Sequence, residues 1–174
     1  MIKIILIAVV ALIAAVLALA ATRPSSFRVE RSIRISAPPE KILPLINDFH
    51  QWGVWSPYEK LDPTMTRTYA GSPDGRGAVY EWRGNSKAGA GRMEIIEAAP
   101  TRTLIKLDFS QPFTAHNIAG FTALPTGSDT RLTWSMEGPA PFVTKLMGLF
   151  FNMDRMIGGD FETGLSNLKA VVEK

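Results

Sequence analysis

An unbroken apolar run of 18 residues, Ile4 to Ala21, follows directly on Met1-Ile2-Lys3. At about 1.5 Å per residue it nearly matches the roughly 30 Å hydrocarbon thickness of a bilayer. A helix that is apolar on every side has no face to give to water, so it must be buried in protein or in lipid. The run exceeds the usual apolar centre of a secretory signal, about 7–15 residues, which favours a retained single-pass membrane anchor over residues 1–21, with residues 2–21 in the bilayer. The alternative is an exported, periplasmic protein after cleavage: Lys3 supplies a basic start and Ala18-Leu19-Ala20 the small-x-small pattern of a cleavage site. Flanking charge fixes no orientation, because Lys3 lies on one side and Arg23, Arg28, Arg31 and Arg34 on the other.

Residues 22–26, Thr-Arg-Pro-Ser-Ser, form a tether, and residues 27–174 contain no second linker, repeat or low-complexity tract, so they make one domain. The whole chain carries a formal +3, and without residues 1–21 only +2, which is too mild and dispersed for nucleic-acid binding. The arginines after the anchor have two readings, contact with anionic headgroups or a solvated strand edge. The chain has no cysteine, and His50 and His116 lie far apart without metal-ligand spacing. No G-x-S-x-G elbow is present, and the glycine-rich Gly71–Gly77 stretch lacks the Lys-Ser/Thr of a phosphate loop. No metal, no cofactor and no nucleic acid is therefore expected.

Phe27–Ser36 alternates apolar and polar residues as a half-buried strand does. Ala37-Pro38-Pro39-Glu40 ends it and opens a short helix to about Asn47. Further strands are expected near 64–70, 78–84, 88–97, 101–110, 113–123 and 130–138, separated by Gly-, Pro- and Asn-containing turns. The short connections favour antiparallel neighbours. Pro141 or Phe142 then begins a long helix that reaches the C-terminus.

In this order of elements, Trp52-x-x-Trp55-Ser56-Pro57, Tyr80-Glu81-Trp82-Arg83-Gly84-Asn85, Gly89-x-Gly91, Thr133-Trp134-Ser135-Met136-Glu137-Gly138 and the closing Ile157-Gly158-x-Asp160-Phe161-Glu162 resemble the polyketide cyclase/dehydrase group of the START-like SRPBCC superfamily. The likeness covers Phe27 to Lys174. It implies an α+β helix-grip fold, a curved seven-stranded antiparallel sheet wrapped around the C-terminal helix, with an apolar cavity between them. It does not fix an activity, because related domains bind lipids, hormones and pigments and only some catalyse.

Strand parity turns Tyr80, Trp82, Phe109, Asn117, Phe121, Trp134 and Met136 inward. Arg92 and Glu94 stay unplaced, because Gly89 and Gly91 make a bulge plausible. A continuous C-terminal helix puts Phe150, Asp154 and Ile157 on one inward stripe. These ten residues are the candidate ligand contacts. Asp154 has two readings, an acid with a raised pKa that meets a ligand's polar end, or a partner for an arginine of the sheet. Trp52 and Trp55 either rim the pocket or wedge the short helices against the sheet. Gly158, Gly159 and Gly164 either permit close approach to the sheet or are tolerated at the surface. The expected function is a membrane-tethered binding protein for a hydrophobic or lipid-like small molecule, with no residue assigned to catalysis. The alternatives are a cyclase or dehydratase using Asp154 or Tyr80 for proton transfer, and a structural, partner-binding envelope protein.

Overall fold

The computed structural model describes the whole chain, Met1–Lys174. Helix α1 (Ile2–Ala21) leads into β1 (Ser26–Ile35). Helix α2 (Pro39–Asn47) and two 3-10 turns, Phe49–Val54 and Pro57–Lys60, follow. Six strands come next: β2 (Thr66–Gly71), β3 (Ala78–Arg83), β4 (Ala90–Ala99), β5 (Arg102–Gln111), β6 (Ala115–Thr126) and β7 (Asp129–Pro139). Helices α3 (Phe142–Met147) and α4 (Met153–Val172) end the chain. The seven strands form one antiparallel sheet in the order β1-β7-β6-β5-β4-β3-β2, so β2 and β1 are its edges. The sheet curves around the C-terminal helix in the α+β helix-grip arrangement. α1 is long and apolar enough to cross a membrane and is almost wholly uncovered by the rest of the chain.

Alternating side chains decide which face of the sheet is inside. Tyr80, Leu107, Asn117, Ala119, Trp134 and Met136 are buried, whereas Glu81, Lys106, His116 and Glu137 face water. The β4–β5 register shifts at Ala90/Gly91 and again at Ile95/Glu97. The first shift turns Arg92 outward, where it pairs with Glu81 and Glu94, while Met93 and Ile95 point into the core. Of the arginines after α1, Arg28 pairs with Glu30 and Glu137, Arg31 with Asp154 and Glu162, and Arg34 with Asp129. Such surface pairs add little to stability, because water and salt screen them.

The two ends of the grip differ. At the α2 end, Ile42, Ile46, Trp55, Phe121, Leu165 and Leu168 pack solidly. Trp52 and Trp55 wedge the short helices against the sheet, and their indole N–H groups donate to the carbonyls of Ile46 and Leu45 at 2.9 and 3.0 Å. At the other end the expected single C-terminal helix is broken in two. Gly148 ends α3, and Asn152 caps α4 by accepting the Arg155 backbone N–H at 2.9 Å. α3 and the segment that follows it leave Phe142, Val143, Met147, Phe150 and Phe151 exposed rather than packed under the sheet. A void remains at this end, lined in part by Val143, Met147, Met153 and Ile157.

The α4 glycines divide by what surrounds them. A Cβ on Gly164 would meet the Trp134 ring at 2.7 Å and Pro57 at 3.1 Å, and one on Gly158 would run into the Arg31 guanidinium. These two let the helix lie close against the sheet. Gly159 has nothing within 4 Å. Gly159→Ala is therefore expected to stabilise the domain by about 1 kcal/mol through helix propensity, a rise of about 2–4 °C in Tm. Gly164→Ala is expected to lower Tm, because rigid ring and backbone must move apart. Thermal melts of the two variants, side by side, check both signs.

Candidate functional site

The void is a cavity of about 1280 Å³, lined by 34 residues of which 22 are hydrophobic. That is larger than the roughly 300–1,000 Å³ of ordinary small-molecule sites, so it has room for a bulky ring system or a long chain. Its floor is the inner face of β3–β7, with Tyr80, Met93, Leu107, Ala119, Trp134 and Met136. α4 closes one side with Ile157, Asp160 and Phe161. The mouth lies where lining residues are exposed, at Phe113 in the β5–β6 turn and at Val143 and Met147 of α3, and it includes Ser25 and Pro139–Pro141.

A few polar groups interrupt the apolar wall. The second 3-10 turn carries Glu59, whose side chain is only 9% exposed. The Tyr80 hydroxyl donates to Glu59 Oε1 at 2.6 Å, and Arg67 Nε donates to Oε2 at 2.6 Å. Arg67 Nη2 also donates to the Glu59 carbonyl at 3.0 Å. Burial, reinforced by the hydrogen bond to Glu59, pushes the Tyr80 phenol far above its usual pKa, so it stays protonated with its hydrogen committed to the carboxylate. Tyr58 and Asp160 add two further polar groups to the wall. Burial first, then the Asp160 charge, raises the Tyr58 phenol; burial raises the Asp160 carboxyl, with the Tyr58 hydroxyl pulling the other way. Asn117 is 7% exposed, lines the cavity, and makes no side-chain hydrogen bond within the protein. Ser56 Oγ and Trp134 Nε1, on lining residues, are also buried without a partner. No lysine or arginine lines the cavity, so its fixed charge is acidic.

Of the ten candidate contacts, Tyr80, Trp82, Phe109, Asn117, Trp134, Met136 and Ile157 line this cavity. The other three lie elsewhere. Phe121 is on the inward face but behind the wall, stacked on Trp134 at 5.0 Å and edge-on to Trp52 and Trp55. Phe150 is 70% exposed in the segment between α3 and α4. Asp154 points away from the cavity and pairs with Arg31 of β1, which donates from Nη1 at 3.1 Å and from Nη2 at 3.0 Å. Its hydrogen bonds to Arg31 hold the carboxyl below the usual carboxylate pKa, the reverse of a raised-pKa acid. The helix break accounts for Phe150, whose phase it resets; Asp154 lies after the break, on the α4 row it shares with Gly158 and Glu162, and that row lies over Arg31 rather than over the cavity. Asp154 is thus outside the cavity, and the Tyr80 hydroxyl inside it donates to Glu59.

Sequence reasoning missed Tyr58, Glu59, Arg67 and Asp160. Periodicity gives no signal for the first two, which sit in a four-residue 3-10 turn. Asp160 was in reach: it lies three residues after the inward Ile157 on the same helix, and i, i+3 positions share a face.

Solved structures share this architecture at low identity. CV1439 from Chromobacterium violaceum matches with a TM-score of 0.59 and 18% identity over 87% of this chain and 99% of its own. Ms6760 from Mycobacterium smegmatis gives 0.57 and 18% over 84% and 90%. Norcoclaurine synthase from Thalictrum flavum, solved in complex with dopamine and hydroxybenzaldehyde, gives 0.61 and 9% over 84% and 86%. At such identities the likeness speaks for the fold alone. No curated protein matches the chain. The family model for polyketide cyclase/dehydrase and lipid transport matches residues 26–173, and the chain belongs to that family.

Proposed function

We propose that this protein is a membrane-tethered binding protein that holds one hydrophobic or lipid-like molecule whose polar end is uncharged or cationic. The observation that carries this reading is the large apolar cavity with acidic and neutral polar groups in its wall and no cation among its 34 lining residues. Burial of a ligand supplies about 2.5 kcal/mol for each 100 Å² of apolar surface removed from water. The polar end then meets Asn117, whose amide offers both donors and an acceptor with no protein partner to displace. Asp160 accepts from a hydroxyl, an amide or an ammonium group. α1, apolar on all sides and long enough to span, holds the domain at the bilayer where such ligands partition.

The test is native mass spectrometry of the full-length protein extracted in detergent, followed by organic extraction of whatever is bound. A reproducible apolar species with a hydroxyl, amide or amine end is expected. Asn117→Leu, close in volume, is expected to weaken its binding about tenfold, the loss of one to two good hydrogen bonds. A protein that is empty and takes up no neutral apolar dye would overturn the reading.

A further inference from the structure

The exposed apolar side chains at the cavity mouth form a continuous lip. Phe142, Val143 and Met147 of α3, Phe150 and Phe151 of the following segment, and Met156 of α4 are 45%, 62%, 43%, 70%, 57% and 63% exposed. Across the mouth, Phe113 is 70% exposed. Water is a poor environment for so many large apolar groups in one place, and contiguous patches of this kind mark interaction surfaces.

Three features say what covers this one. First, α3 packs beside α1. Second, the chain between α1 and β1 is only the four residues Thr22–Ser25, and Ser25 is fixed to the mouth because its carbonyl accepts the Ala140 N–H at 2.8 Å. At about 3.5 Å per extended residue, the mouth cannot lie more than about 14 Å from the end of α1. Third, Arg23, Lys145 and Arg155 in this region take part in no ion pair, whereas Asp154 beside them is neutralised by Arg31. An apolar ridge flanked by free cations is the pattern of an element lying in a membrane interface, its apolar face sunk about 5–10 Å below the headgroups.

We infer that the α3–α4 lip inserts into the bilayer that holds α1, so that the cavity opens into the membrane rather than into water. The inference rests on α1 being a membrane anchor. Exposed phenylalanines are then covered by acyl chains, and a ligand passes between bilayer and cavity without crossing the aqueous phase.

The native chain contains no cysteine, so single-site labelling is clean. Phe150→Cys and Ser128→Cys are made in the full-length chain, each carrying an environment-sensitive NBD fluorophore. Residue 128 lies in the β6–β7 turn, at the opposite end of that hairpin from the lip. The proteins are reconstituted in vesicles of phosphatidylcholine with one-third phosphatidylglycerol, with or without doxyl-labelled acyl chains. The expected result is a blue-shifted label at 150 that doxyl lipids quench at least about threefold more than the label at 128. Flotation with the vesicles but a water-like label at 150 would overturn the lip while leaving the anchor intact. A blue shift without doxyl quenching would also overturn it, assigning the patch to protein contact. A chain that does not float with the vesicles overturns the anchor and the lip together. Because Phe150 is 70% exposed, its replacement leaves the core unchanged.

Discussion

Hexadecanol is expected to bind this protein at least about a hundredfold more tightly than palmitate at pH 8, although the two share one chain. The apolar contribution is the same for both, so the headgroup alone decides. A carboxylate entering the cavity leaves water without meeting a cation, because no lysine or arginine lines it and its acidic groups, Glu59 and Asp160, repel a second carboxylate. His116 sits at the rim and is engaged by Asp108 at 2.7 Å. An unpaired charge in such a site is penalised by several kcal/mol, and about 2.8 kcal/mol already corresponds to a hundredfold. The alcohol loses far less, since Asn117 and Asp160 satisfy its hydroxyl. Hexadecylamine extends the series: its ammonium is expected to pair with the Asp160 carboxylate. Burial raises the Asp160 pKa, so this carboxylate protonates at a higher pH than an ordinary one as the solution is acidified. Amine affinity should therefore fall as pH drops through that raised value, while alcohol affinity stays level. Competition against a bound neutral fluorophore, with protein-free nanodiscs as blank, measures all three ligands. Palmitate binding as tightly as hexadecanol would refute the electrostatic account of the cavity.

Replacing Glu59 with alanine is expected to destabilise the domain by about 3 kcal/mol, a large share of the roughly 5–15 kcal/mol that holds a typical domain folded. The carboxylate satisfies two partners at once: Tyr80 at 2.6 Å and Arg67 at 2.6 Å. Without it, a guanidinium 28% exposed loses its counter-ion and a buried phenol loses its acceptor. The figure sits at the low end for breaking a buried pair because Arg67 keeps some water. Glu59→Gln retains an acceptor for Tyr80 and should lose less. The combined Glu59→Leu and Arg67→Leu variant should be more stable than either alanine variant alone, since it leaves no charge uncompensated. Urea denaturation of the set measures the coupling. Equal losses for Glu59→Ala and Glu59→Gln would mean that the ion pair, not the tyrosine hydrogen bond, carries the effect.

The strand face of this fold could be read directly because a period of two tolerates small errors in boundaries. Tyr80, Trp82, Asn117, Trp134 and Met136 keep their facing even where a strand begins one or two residues from its expected start. The C-terminal helix is less forgiving. A single break changes the phase of everything before it, and residues 148–152 contain one, which takes Phe150 off the inward stripe; Asp154, after the break, sits instead on the neighbouring α4 row with Gly158 and Glu162, over Arg31. Gly148 followed by a capping Asn152 is the local signature of such a stop and restart. The Glu59 cluster was not legible at all. It depends on a 3-10 turn that brings residue 59 against residues 67 and 80, a meeting set by tertiary packing rather than by any repeat in the chain. Phe121 shows a further limit: parity gives the face of a strand but not how far along it the void extends.

The shortness of the Thr22–Ser25 connection has a consequence for traffic. A domain on a long flexible leader could ferry cargo across an aqueous gap to another membrane. With α1 in a bilayer as proposed, the cavity mouth would be held within about 14 Å of that membrane, and its search would be a two-dimensional diffusion within a single leaflet. Lipids of that leaflet would then be present to it at an effective concentration of about millimolar or more, so even weak intrinsic affinity would keep the cavity filled. Any recipient of the cargo must come to the mouth, either as a neighbour in the same membrane or as a partner docking from solution. On the proposed anchoring, the fold would serve as a fixed exchange station rather than a shuttle.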